Sequence, residues 1–62
     1  MIGHPIGQQL RRLRTERHLT QEKLAEILHV GHQTISKWET GQLIPDVAML
    51  ISLSTFFGVS LD

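Results

Sequence analysis

The stretch from Gln21 to Thr40, QEKLAEILHVGHQTISKWET, decides how this chain folds. Thr20 precedes it with a hydroxyl suited to an N-cap, and Glu22 lies near the positive end of the helix dipole. Lys23 stands where a capping box would want Glu, so the cap is a simple one. Leu24, Ala25, Ile27 and Leu28 then form the apolar face of a short helix, which is spent at His29-Val30-Gly31. A second short helix follows from about His32 to Glu39. It buries Ile35 and Trp38, and Gly41 sits where a left-handed residue would stop it. Two helices that cross steeply leave room only for a small side chain at their contact. Ala25 meets that demand, while Val30, Ile35 and Trp38 anchor the second helix to the body.

Upstream, Ile6, Leu10, Leu13 and Arg17 recur at intervals of four, three and four, with Gln8, Gln9, Arg11 and Arg12 turned elsewhere. This predicts a helix from about Ile6 to Arg17 with Pro5 at its start. Downstream, Leu43-Ile44-Pro45 reads as extended, because proline disfavours helical geometry in the residue before it. Asp46 is then a strong N-cap for a helix through Phe57 that Gly58 closes. The apolar positions of that last helix run wider than one stripe. Met49, Ile51 and Phe56 read as a surplus, favouring a homodimer surface over simple overspill of a small core. Ser60-Leu61-Asp62 resembles the cap and first residues of a further helix, so residues 1–62 are expected to form the N-terminal part of a longer chain.

A chain of 62 residues can bury one small core, and a hydrophobic share of 40% fits a folded, soluble module better than a disordered one. There is no Cys, so helix packing alone must stabilise it, which suits a reducing compartment. No run approaches the roughly 20 apolar residues of a membrane span, and no leader of signal-peptide type opens the chain. Cytoplasmic location and no membrane partner are the expectation. Six Lys and Arg balance six Asp and Glu, yet all six cations precede Trp38. With Glu16, Glu22 and Glu26 among them that part carries +3, and Glu39, Asp46 and Asp62 leave the remainder at −3. Such a chain can still present a positive face to phosphate.

Taken together, Leu13-Arg14, Leu19-Thr20-Gln21, the small Ala25, Trp38-Glu39-Thr40-Gly41, Pro45-Asp46 and Phe57-Gly58-Val59-Ser60-Leu61-Asp62 resemble the Cro/phage-repressor-type (XRE) helix-turn-helix DNA-binding domains. The resemblance implies an all-α, lambda-repressor-like bundle of four to five helices, with the helix-turn-helix at about residues 21–40. It also implies double-stranded DNA as partner, with the helix at 32–39 entering the major groove. Carried onto this chain, the base-reading residues are His32, Gln33, Ser36 and Lys37. Gln33 is suited to adenine and Lys37 to guanine. Gln21, Thr34, Thr40, Gln42, Arg11 and Arg14 are the phosphate candidates, and Arg14 with Glu39 is the expected structural ion pair. Three positions depart from the pattern. His18 and His29 stand where glycine is common, at some cost in stability, and Gly31 replaces a hydroxyl cap.

Other chemistries fare worse. His29 and His32 lie across a turn with no Cys nearby, which makes solvated histidines a better reading than a metal site. Glu22 and Glu26 are the wet face of their helix, Trp38 is core, and Arg12 and Arg17 are surface charges. No nucleophile or metal constellation supports an enzyme, and no cofactor is expected. The expectation is therefore a sequence-specific regulator, a repressor more than an activator, acting as a homodimer. A protein-interaction module on the same scaffold, such as an antitoxin or adaptor, is the alternative.

Overall fold

The computed structural model describes residues 5–59, which form α1 (Pro5–Glu16), α2 (Gln21–Leu28), α3 (His32–Thr40) and α4 (Val47–Phe57), with no strand among them. The fold is all-α, and each helix end falls within a residue or two of the local signals. Thr20 Oγ1 accepts from the Lys23 amide at 3.0 Å, and Asp46 Oδ1 accepts from the Met49 amide at 2.9 Å, so α2 and α4 start on side-chain caps. Gly31 caps α3 through backbone conformation alone. The further helix expected from Ser60-Leu61-Asp62 lies outside the described residues.

Left-handed residues end every helix. Gly41 and Gly58 do so after α3 and α4, but His18 (φ 58°) and His29 (φ 60°) do so after α1 and α2. Both histidines sit in Schellman turns. The Leu19 amide donates to Arg14 O and the His18 amide to Thr15 O; Val30 and His29 repeat the pattern on Ala25 and Glu26. These turns reverse the chain sharply enough for α1 and α2 both to pack on α3.

The core is Leu10, Leu24, Ala25, Ile35, Trp38, Leu53 and Phe57, with Leu13, Leu19, Leu28, Val30, Met49, Leu50 and Phe56 packed around it. Trp38 belongs to this core. Ile27, expected on the buried face of α2, is instead partly exposed at 38%, because Leu24, Ala25 and Leu28 already span the contact with α3. Met49 and Phe56, read as surplus, also pack on the core. The outward apolar face of α4 is Val47 (73% exposed), Ala48 and Ile51 (62%), with Leu43 and Ile44 exposed in the preceding loop. Positions 47 and 51 are one turn apart, while 53 and 57 point inward.

Arg17 is no mere surface charge. It donates to Phe56 O (3.1 Å) and Phe57 O (2.7 Å), the last carbonyls of α4, and its guanidinium lies 5.7 and 5.1 Å from the two ring centroids. A cation there matches the negative end of the helix dipole, so α1 and α4 are tied together at their C-terminal ends. Gly7 is buried and required. A Cβ at this position would meet Trp38 O, and Glu39 O at 2.9 Å, so α1 can approach α3 this closely only without a side chain.

Candidate nucleic-acid interface

In α3 the residues separate into two sets. Ile35 and Trp38, three apart, face the core; His32 and Ser36, and Gln33 and Lys37, each four apart, form two adjacent rows on the opposite side. The N-terminus of α2 lies beside those rows, and together they enclose an open concavity of 310 Å³ lined by Gln21, His32, Gln33, Ser36, Lys37 and Gln42. All four residues expected to read bases are gathered there, with two of the phosphate candidates. His32, Gln33, Lys37 and Gln42 are exposed, and Gln21 and Ser36 half-buried. Every lining side chain carries a polar group, so the surface can donate and accept hydrogen bonds along its whole length.

Behind this face lies a part-buried ion pair. Arg14 Nε donates to Glu39 Oε2 at 2.6 Å and Nη2 to Oε1 at 3.0 Å, a bidentate pair, while Nη1 donates to Leu19 O at 2.7 Å. Their side chains are only 11% and 4% exposed. The hydrogen bond to Glu39 raises the Arg14 guanidinium above its ordinary value; desolvation opposes this in part. Arg14 therefore stays charged at any pH near neutrality. These three bonds use three of the five guanidinium N–H groups and leave one on Nη1 and one on Nη2 for a phosphate. Gln21 Nε2 donates to the same Glu39 Oε1 at 3.1 Å, linking the ion pair to the concavity.

The remaining candidates lie outside the concavity. Arg11 is exposed on α1, Thr34 is half-buried, and exposed Thr40 donates its hydroxyl to Lys37 O at 3.3 Å. Among the described residues, no three His, Asp or Glu side chains come together as metal ligands would. No helix among them is long and apolar enough to cross a membrane. Sequence reasoning missed the Gln21 to Glu39 bond, the Arg17 clasp on α4 and the need for Gly7. The first two join residues 18 and about 40 positions apart, and no local pattern signals them.

The comparisons with known proteins agree with this geometry. A family model described as helix-turn-helix matches residues 10–62. The chain is 47% identical over 57 residues to the HTH-type transcriptional activator BcrR of Enterococcus faecalis, covering 92% of this chain and 28% of that protein. It is 36% identical over 57 residues to the SPbeta prophage-derived uncharacterized HTH-type transcriptional regulator YonR of Bacillus subtilis, covering 92% and 53%. It is 33% identical over 57 residues to the HTH-type transcriptional regulator ImmR of the same organism, covering 92% and 45%. The chain thus spans between about a quarter and about a half of the length of these relatives. A match over most of the chain, on a fold in which α2 and α3 share a polar concavity, means that the chain belongs to the Cro/phage-repressor-type (XRE) helix-turn-helix family.

Proposed function

We propose that residues 1–62 form the sequence-specific, double-stranded DNA-binding module of a transcriptional regulator, with α3 laid in the major groove. The observation that carries this reading is the shared concavity of Gln21, His32, Gln33, Ser36, Lys37 and Gln42, a continuous polar face on the two helices of the motif. His32, Gln33, Ser36 and Lys37 read base edges, with Gln33 paired to adenine and Lys37 donating to guanine. Gln21 and Gln42, with Thr34, Thr40, Arg11 and the two remaining N–H groups of Arg14 around them, hold the backbone, and Arg14 also fixes Glu39. No catalysis is needed for this role. The module acts as a homodimer in the cytoplasm, two copies reading half-sites about 34 Å apart. Occupancy by a small domain blocks a promoter, so repression is our reading for this module. Activation, which the name of the Enterococcus faecalis relative states for that protein, would draw on parts of a longer chain.

The test is selection from a randomised duplex pool at about physiological salt. A recovered palindrome with half-sites about 10 bp apart supports the dimeric regulator; a single half-site supports the reader without the dimer. On the selected duplex, Gln33→Ala should cost about 1–3 kcal/mol at one base position only, whereas Gln21→Ala should weaken binding to every sequence. Equal losses for both variants on all sequences would overturn the assignment of roles. The exposed Val47, Ile51, Leu43 and Ile44 favour one second reading, an antitoxin- or adaptor-type module that binds protein through α4. Absence of enrichment from a folded, helical sample would select that reading.

A further inference from the structure

We infer that Glu39 is the positioning residue of the DNA-binding face, acting through Gln21; this rests on the reading of Gln21 as a phosphate contact. A carboxylate accepts and never donates when ionised, so the group that Gln21 turns towards Glu39 must be its NH2 and not its carbonyl. The distances agree: Oε1 accepts from Gln21 Nε2 at 3.1 Å and from Arg14 Nη2 at 3.0 Å, while Oε2 is held by Arg14 Nε at 2.6 Å. Glu39 cannot swing away, because its side chain is 4% exposed and both oxygens are engaged. The Gln21 amide is therefore pinned in one orientation, with one N–H spent on Glu39 and the other available at the mouth of the concavity. That second N–H is the donor a phosphate oxygen needs. Unpinned, the amide would lose side-chain freedom on binding and could turn its carbonyl towards the phosphate, which repels it. Arg14 supplies the counter-charge that holds Glu39 in place.

The experiment is a double-mutant cycle with Gln21→Ala and Glu39→Gln, read by anisotropy on a labelled duplex of scrambled sequence at about 50 mM salt, where phosphate contacts dominate. Each sample is first checked for folding by circular dichroism. Each single variant should lose about 3- to 10-fold in affinity, and the double variant should lose no more than Gln21→Ala alone. Losses that multiply would overturn the inference while leaving the phosphate contact standing. No loss for Gln21→Ala, with binding intact, would remove the phosphate contact itself, and the inference with it. Absence of binding by the unaltered protein on this duplex and on the randomised pool would instead overturn the DNA reading. A second measurement needs no variant and covers the case in which Glu39→Gln fails to fold. The two Gln21 side-chain amide protons in the unaltered protein should resonate further apart than those of a solvent-exposed glutamine, with one in Overhauser contact with the Glu39 side chain. A pair with the separation of a solvent-exposed glutamine amide and no Overhauser contact to Glu39 would overturn the inference.

Discussion

Two histidines and one glycine show how much depends on single positions. His18 and His29 hold left-handed backbone at φ 58° and 60°, which costs an L-residue roughly 1–2 kcal/mol; glycine avoids this, at some expense in unfolded-chain entropy. His29→Gly should therefore raise stability by about 0.5–1 kcal/mol, seen as a rise of several degrees in the thermal midpoint. An unchanged or lower midpoint would mean that the imidazole makes a compensating contact. Gly7→Ala should do the reverse. Its methyl would be driven into the backbone of Trp38 and Glu39, costing about 1–3 kcal/mol in a denaturant titration. The strain at the histidines was legible through the family resemblance, whose pattern commonly has glycine at both positions. The demand at Gly7 was not. It arises from the carbonyls of residues more than thirty positions away, and a glycine inside an amphipathic stripe looks only like a weak helix former.

At the scale of elements, helix limits were legible and helix facing only in part. Caps act within four residues, so Thr20, Asp46, Gly41 and Gly58 announce the limits of α2, α3 and α4 in the sequence itself. Facing depends on what arrives from elsewhere. For α4, apolar nearly all round, the sequence could not say that Met49 and Phe56 would find the core while Val47 and Ile51 would not. The backbones of α1 and α2 lie close to α3, whereas α4 is held by Leu53, Phe57, its Asp46 cap and the Arg17 clasp. Asp46→Ala should accordingly cost about 1 kcal/mol, with amide exchange in α4 accelerating before that in α3. Equal acceleration in both helices would show that the four helices open only as one unit.

For the molecule as a whole, the positions that line the concavity were legible through the family resemblance, and the common face of the four on α3 follows from helical spacing. The electrostatics were not, because the sequence counts charges but does not pair them. Of the six cations, Arg14 is bound to Glu39, Lys23 faces Glu26 at 3.3 Å, Arg12 faces Glu16 at 3.9 Å, and Arg17 is turned onto α4. Among the described residues Arg11 and Lys37 are the Lys and Arg side chains without a carboxylate or carbonyl partner. Neutral pairs release few counterions. The logarithm of affinity should then fall with the logarithm of salt at a slope of about −2 per domain, against about −5 were all six cations to meet phosphate. A slope near the larger value, measured between about 50 and 200 mM salt, would show that the pairs open on DNA. The pairing of cations has one more consequence. On the proposed DNA-binding reading, a domain that grips anonymous genomic DNA by so few charges would leave few of its copies stranded on the chromosome. A small number of molecules per cell would then suffice to keep one operator filled, with most of the discrimination left to hydrogen bonds that form only at the right bases.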